Sequence, residues 1–261
     1  MKQISLLVVL PTLGDRLEFL KKALTSCADL RDYISVTIVM VVPRSAEAAR
    51  NLGREFGAQI LDDPGKGMSA AINAAIRHRT TEDFYVWVGD DDELLAPGIS
   101  RLLDVIKRDE RVVVAYGNCQ YVDTFGNSLG VSRAGILATW LMTWGPNLLP
   151  HPGTVVRLDT MQNVGGFDEK LSYAMDLDMF LRLRRVGKFV HLPVLTSRFG
   201  WHSASATVAN RSLSFKESIL VKKRYLRPLL RLVSWIWDYP VLIATRLASW
   251  LINGRGSRRS S

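Results

Sequence analysis

Phe84-Tyr85-Val86-Trp87-Val88-Gly89-Asp90-Asp91-Asp92-Glu93 is an apolar run that stops at a glycine and three consecutive aspartates. The run predicts a short buried strand over Phe84–Val88. Three adjacent carboxylates repel one another, so concentrating them calls for a compensating cation. Mg²⁺ or Mn²⁺ prefers carboxylate oxygens and can bridge to a diphosphate. The plain alternative is a solvated acidic turn capping the helix near Pro97. Context separates the two, because open α/β sheets place ligands at the carboxyl ends of their strands.

Working outward, strands alternate with helices. Ile4–Leu10 is a continuous apolar run, as expected of a strand covered on both faces. Pro11-Thr12-Leu13-Gly14 breaks it, and Asp15 is placed to cap a helix with Leu17, Leu20 and Leu24 on its apolar face. Val36–Val42 is a second buried strand, stopped by Pro43. Ser45 starts a second helix, with Ala48, Ala49, Leu52 and Phe56 facing inward and Gly57 ending it. Ala58–Leu61 is a third strand, and Lys66–His78 an Ala-rich helix. Beyond the aspartates, Pro97 begins a helix to Lys107. Val112–Tyr116, Cys119–Val122 and Phe189–Leu192 have strand character, and Asp176–Val186 is helical. This order predicts parallel βαβ units with right-handed crossovers.

Composition sets the outer bounds. The 261 residues are 48% hydrophobic and 23% charged, which excludes a disordered chain. Cys27 and Cys119 make no disulfide framework, and no His/Cys cluster has zinc spacing. Reduced, buried thiols in a cytosolic compartment are expected. Neither a signal peptide nor a clean membrane-spanning helix is expected. The net charge of +9 belongs wholly to the end of the chain. Residues 208–261 carry eleven Lys/Arg against Glu217 and Asp238, whereas residues 1–207 balance 23 bases with 23 acids. A nucleic-acid partner inferred from the pI alone would misplace that charge.

Three further stretches carry chemistry. Asp62-Asp63-Pro64-Gly65-Lys66-Gly67-Met68 opens the Ala-rich helix that contains Asn73. A Gly-rich turn at a helix start lets an anion approach backbone N–H groups, although a simple turn before a buried helix fits equally well. The order is not a Walker A loop, and no Gly-x-Gly-x-x-Gly follows the first strand. Gly165-Gly166-Phe167-Asp168-Glu169 precedes Met175-Asp176-Leu177-Asp178-Met179-Phe180-Leu181-Arg182. Asp176, at a helix start, is either an N-cap or a general base. Asp178 is equally open, with Arg182 as an i,i+4 partner. His151 and His202 lie in loops flanking this segment. Each is either solvated or a contact for phosphate, metal or acceptor.

Taken in order, four segments resemble glycosyltransferase family 2, which has the GT-A fold. They are Val8-Val9-Leu10-Pro11-Thr12, the Lys66-Gly67…Asn73 helix, Asp90–Asp92, and Gly165-Gly166-Phe167-Asp168…Asp176-Leu177-Asp178. Pro150-His151-Pro152 also resembles a branch that makes cell-surface polysaccharides. The resemblance spans about residues 3–205. It implies a nucleoside-diphosphate sugar donor, Mn²⁺ or Mg²⁺, and inversion at the anomeric carbon. It assigns Asp90, Asp91 and Asp92 to metal and diphosphate. From their own positions rather than from the resemblance, His202 is a further candidate metal ligand, and His151 and Asp178 are candidate acceptor or donor contacts. By the resemblance, Asp176 would be the base, and Pro11, Thr12, Lys66 and Asn73 would help hold the nucleotide. Four positions depart from the family pattern. Val42 and Pro43 stand where an acidic pair often reads the nucleotide base. Gly65 replaces the acid before Lys-Gly, for which Asp63 or Asp62 could compensate. Met175 replaces the Glu of a Glu-Asp pair.

The end of the chain reads differently. Leu213–Leu226 has an amphipathic pattern with Lys222, Lys223 and Arg224. Leu229–Trp237 and Val241–Ile252 are apolar, with Trp235, Trp237, Tyr239 and Trp250, interrupted by Arg231, Asp238 and Arg246. Basic residues among interfacial aromatics suit helices lying on an anionic membrane surface. A helical pair packed on the body or in a homo-oligomer is the other possibility.

The expectation is therefore a GT-A-like α/β domain over residues 1–207, with a central, mostly parallel sheet, and a basic helical segment over 208–261. Its function would be sugar transfer to a glycan or lipid-linked acceptor at the cytoplasmic face of a membrane. A sugar-phosphate nucleotidyltransferase, or a degenerate binding subunit attached to a membrane, are the alternatives.

Overall fold

Strand β1 (Ser5–Pro11) explains the layering of the molecule. Leu6 to Leu10 are all fully buried, and successive side chains point to opposite faces. Leu7 and Val9 enter one core with Val39, Val41, Ile72, Tyr85 and Phe180. Leu6, Val8 and Leu10 enter a second core with Leu20, Leu24, Ile38, Met40, Val86 and Leu102. A strand covered on both faces has no polar side to show, which is why its sequence is an unbroken apolar run.

The computed structural model describes residues 4–132, 135–144, 147–201, 211–240 and 243. After β1 come α1 (Leu17–Ala28), a 3₁₀ turn (Asp29–Asp32), β2 (Ser35–Val42), α2 (Glu47–Glu55), β3 (Gln59–Asp62), α3 (Met68–Arg77) and β4 (Phe84–Trp87). Then follow β5 (Glu93–Leu94), α4 (Ala96–Arg108), β6 (Val112–Val122), β7 (Ser128–Ser132), α5 (Leu137–Leu141), β8 (Val155–Arg157) and α6 (Leu158–Asn163). The last elements are α7 (Met175–Leu183), β9 (Lys188–Gly200), α8 (Arg211–Tyr225) and α9 (Pro228–Val233).

The strands form one nine-stranded sheet in the order β3-β2-β1-β4-β8-β6-β9-β5, with β7 paired to β6. The pairs β3–β2, β2–β1 and β1–β4 are parallel, as expected for βαβ units. β8 is antiparallel to both β4 and β6, while β6 and β9 are parallel. The chain leaves β1 toward β2 and β3, then returns to the other side of β1 as β4. The strand order thus reverses between β1 and β4, and a crevice opens at their carboxyl ends.

Several local expectations are corrected. Asp15 makes no cap: Arg16 occupies the N-cap position of α1, without a side-chain cap bond. Leu17 and Ala48 are exposed rather than inward. The second helix starts at Glu47, not Ser45. Val112–Tyr116 and Cys119–Val122 are one strand, β6, whose register against β9 shifts between Tyr116 and Cys119. The strand at Phe189–Leu192 extends from Lys188 to Gly200 and carries Pro193 without ending.

At the end of the chain, α8 packs against the core that holds α7 through Val221 and partly buried Tyr225. Leu213 and Leu220 stay exposed, so the apolar stripe expected over Leu213–Leu226 is split between core and solvent. Lys222 is buried and ion-paired with buried Asp238 at 3.2 Å, and the Trp144 and Trp237 rings meet edge-on at 5.2 Å. No residue of α9 is buried. Among the described residues, no helix is long and apolar enough to cross a membrane. The stretch Val241–Ile252, Ile243 excepted, and the boundary at 207/208 lie outside the described residues.

Candidate functional site

The aspartates follow β4 at the strand-order reversal, as their position in the sequence foretold. Thr12, one residue past β1, donates from Oγ1 to Asp90 Oδ2 at 2.5 Å and accepts the Gly14 N–H at 2.9 Å. The Arg16 guanidinium spans two carboxylates, 2.5 Å from Asp90 Oδ1 and 2.9 Å from Asp91 Oδ2. Asp92 is buried and accepts the Gly89 N–H at 3.3 Å and the Gly200 N–H at 3.1 Å. Gly200, at the end of β9, lies so close that a Cβ there would sit 2.5 Å from the Asp91 carbonyl oxygen. The backbone can approach the acidic loop only because that residue is glycine.

Burial dominates the electrostatics of the loop. It raises the Asp90 carboxyl, against the opposing effects of the Thr12 hydrogen bond and the Arg16 charge. Burial, then the Asp91 charge, push Asp92 well above the usual carboxylate range. Desolvated acids that repel one another gain from any cation placed among them. The loop therefore fits a hard divalent ion: its donors are carboxylate oxygens, and a guanidinium already stands between two of them. Among the described residues, no three His, Cys, Asp or Glu side chains are arranged to hold a metal alone.

A chamber of about 430 Å³ opens above this loop. Pro11, Thr12, Arg16, Asp63 and the three aspartates line it, together with Gly67 and Met68 at the start of α3. Gly67 has φ +90°, a left-handed conformation that lets the turn present the first amides of α3. Asp63 accepts the Gly65 N–H at 2.9 Å, which shapes the same turn. Lys66 is exposed on the turn before Gly67.

A second chamber of about 280 Å³ adjoins the first, and Met68, Trp87 and Phe199 line both. Its walls are rich in rings, including Tyr121, His151, Tyr173 and Trp201, and Asp176 lies in it. Asp176 stands in the first turn of α7, accepting the Asn147 side-chain amide at 2.8 Å and the Leu177 N–H at 2.7 Å. Burial pushes its carboxyl up to about 6; these hydrogen bonds oppose the shift and the Glu217 charge adds to it. His151 is stacked on Trp87, with centroids 4.5 Å apart, and its Nε2 is 3.3 Å from the Tyr85 hydroxyl. Burial depresses its pKa to about 3, so it is neutral near pH 7.

Two expected contacts point elsewhere. Asn73 spends both ends of its amide on the Gly-Gly-Phe-Asp turn, donating to the Phe167 carbonyl and accepting the Phe167 N–H, each at 2.9 Å. It fastens α3 to that turn and does not line the first chamber. Asp178 is buried between Arg182, at 2.7 Å, and the Tyr225 hydroxyl, also at 2.7 Å. It joins α7 to α8 rather than lining the second chamber. His202 lies outside the described residues. Arg16 and Glu217 make contacts at these chambers that no local motif marked, since their partners are distant in sequence.

The comparisons bear on this geometry. The family model for glycosyl transferase family 2 matches residues 7–160. A chondroitin synthase of Pasteurella multocida is 26% identical over 166 residues, covering 62% of this chain and 17% of that protein. A hyaluronan synthase of Pasteurella multocida is 25% identical over the same length, again covering 62% and 17%. The chain thus spans about a sixth of the length of these relatives. Among solved structures, the mannosyltransferase PcManGT of Pyrobaculum calidifontis, in complex with GDP-Man and Mn²⁺, superposes with a TM-score of 0.63 at 15% identity, covering 97% of this chain and 73% of that one. S. aureus TarS 1-349 in complex with UDP-GlcNAc gives a TM-score of 0.61 at 13% identity, covering 84% and 65%. These likenesses establish the GT-A-like fold. With the family model matching more than half of the chain, and with the acidic loop at the β1–β4 crevice, the protein belongs to glycosyl transferase family 2.

Proposed function

We propose that the protein transfers a sugar, with inversion, from a nucleoside-diphosphate sugar to a hydroxyl of a surface-glycan or lipid-linked acceptor. The observation that carries this reading is the pair of adjoining chambers, one floored by Asp90–Asp92 and the other holding Asp176, with Trp87 between them. The first suits a diphosphate: it combines a carboxylate loop with the amino terminus of α3. Pro11, Thr12 and Asp63, which line the chamber, and Lys66 on the adjoining turn would contact the nucleotide. Asp90, Asp91 and Asp92 would hold Mn²⁺ or Mg²⁺, which when bound would neutralise charge developing on the departing diphosphate. The second chamber suits an acceptor sugar, whose C–H faces pack on aromatic rings while its hydroxyls meet polar groups.

In the transfer step, an acceptor hydroxyl oxygen bonds to the anomeric carbon from the face opposite the diphosphate. The bond from that carbon to the diphosphate oxygen breaks, and the nucleoside diphosphate leaves with the electron pair. Asp176 takes the hydroxyl proton. An already charged leaving group needs no second carboxylic acid, in contrast to hydrolysis of a sugar–sugar bond. Activity of the chondroitin and hyaluronan synthase relatives supports a surface-glycan product.

Residues 1–207 would form the catalytic unit and residues 208–261 a membrane contact. Exposed Leu229, Leu232, Trp235, Ile236 and Tyr239 beside Arg227 and Arg231 support this, since an anionic leaflet attracts the bases while the rings insert. Co-sedimentation with anionic vesicles should be lost when the chain is cut after Arg227. Unchanged sedimentation would leave a homo-oligomer contact in its place.

The functional test is incubation of the full chain with Mn²⁺ and a panel of nucleotide sugars, measuring free nucleoside diphosphate. Release from one donor is expected. Pyrophosphate formation from a sugar phosphate and a nucleoside triphosphate would instead identify a nucleotidyltransferase.

A further inference from the structure

Helix α7 begins without a cap of its own. Its N-cap residue is Ala174, which has no side chain able to receive the free amides of a helix start. The missing acceptor comes from 43 to 45 residues away. The Glu217 carboxylate, on α8, accepts the N–H of Ser172 at 3.0 Å, of Tyr173 at 2.5 Å and of Ala174 at 2.6 Å. Three charge-assisted bonds to consecutive amides fix the backbone of that turn. Ser172, Tyr173 and Met175 line the second chamber with Asp176, and so does Ser214 of α8. The helix is secured further along as well: the Tyr225 hydroxyl donates to Asp178 at 2.7 Å, and Arg224 reaches the same carboxylate at 3.4 Å.

We propose that Glu217 is a positioning residue for Asp176, so that helix α8 belongs to the catalytic apparatus. This rests on the role given to Asp176 above. Glu217 holds the turn that aims the Asp176 carboxylate, and its charge reaches Asp176 directly. Glu217 is a charged group on another element whose charge raises the Asp176 carboxyl. The other titratable groups around the chamber are Tyr173, His151 before β8, and Cys119 and Tyr121 of β6. His151 is neutral, and burial raises both the Cys119 thiol and the Tyr121 hydroxyl. His151, Cys119 and Tyr121 contribute no charge near neutral pH.

The test is Glu217→Gln and Glu217→Asp in the full chain, read by kcat, by nucleoside-diphosphate affinity and by the pH dependence of kcat. Glu217→Gln removes the charge and puts an amide donor against backbone donors. Its kcat should fall about tenfold to hundredfold, within the range a misaligned base loses, with nucleoside-diphosphate affinity unchanged. The acid limb of its profile should move to lower pH, because removing a nearby negative charge eases ionisation of Asp176. Glu217→Asp keeps the charge but is too short to meet all three amides. Its kcat should fall while the acid limb stays in place, which preserves the test if the glutamine variant folds poorly. Wild-type kcat in both variants, or equal losses of kcat and nucleotide affinity with no movement of the limb, would overturn the positioning role. A wild type that releases no nucleoside diphosphate from any donor would remove the function of Asp176 and this role together. Normal transfer with Glu217 indifferent removes the second alone.

Discussion

Arg16 Nη2 lies 2.5 Å from Asp90 Oδ1, in the loop where a divalent cation is proposed to bind. The same guanidinium reaches Asp91, and about a third of the Arg16 side chain is exposed to solvent. A protein-borne cation therefore offsets part of the repulsion among the aspartates before any ligand arrives. Arg16→Gln should tighten Mn²⁺ binding in the absence of nucleotide by about fivefold, the equivalent of one partly screened ion pair of about 1 kcal/mol. Electron paramagnetic resonance of free Mn²⁺ measures this directly. Equal or weaker binding would show that the guanidinium does not compete.

Asp176 should set the acid limb of activity. Its folded-state pKa of about 6 means that the carboxylate, the form able to accept a proton, is lost as pH falls through that value. With the preferred donor, kcat should rise with pH and level off above about pH 7. Asp176→Asn should lower kcat by roughly two to four orders of magnitude, with donor affinity nearly intact. Near-normal turnover would remove Asp176 from the role of base.

His151 makes a separate prediction about stability. Its folded-state pKa, about 3, lies below the ordinary value of 6.5, so the unfolded chain binds a proton that the native state refuses. Stability therefore falls as pH drops below about 6.5 and continues to fall toward 3. This one group contributes a slope approaching about 1.4 kcal/mol per pH unit. Denaturant unfolding of His151→Gln from pH 7 to 5 should show a shallower decline than wild type. Parallel curves would mean that the imidazole is accessible to protons in the native state.

Lys222 and Asp238 form a buried pair that joins α8 to the segment after α9. Removing one partner strands the other, at a cost of about 3 kcal/mol. Asp238→Leu or Lys222→Met alone should lower the denaturation midpoint clearly, and the double replacement should recover most of the loss. A double variant as unstable as the sum of the two singles would contradict a direct pairing.

The parallel half of the sheet was legible because burial on both faces leaves an unbroken apolar run, as in Leu6–Leu10 and Ile38–Val42. The acidic loop was legible because its place after such a run is also its place in the fold. The mixed half was harder. β9 alternates partly buried and exposed residues around Pro193, and its length depends on pairing with β6, about 75 residues earlier. A helix start could be located without its cap: Asp15 had the right chemistry, yet Arg16 holds the position and turns to the aspartates. Asn73 and Asp178 were singled out as candidate contacts; spacing gave Arg182 as a partner of Asp178, but it does not reveal Phe167 as the partner of Asn73 or Tyr225 as the second partner of Asp178. Glu217 had no local signal, since its meaning comes from amides more than forty residues upstream.

The central claim is that the Asp90–Asp92 loop binds a nucleoside diphosphate through a divalent cation. Calorimetric titration of the full chain and of Asp92→Asn with nucleoside diphosphates, each with and without Mn²⁺, tests it most directly. The expected result is that one diphosphate binds wild type at least tenfold more tightly when Mn²⁺ is present, and that Asp92→Asn loses this enhancement. Binding equally tight without metal, or an enhancement that survives in Asp92→Asn, would contradict the claim.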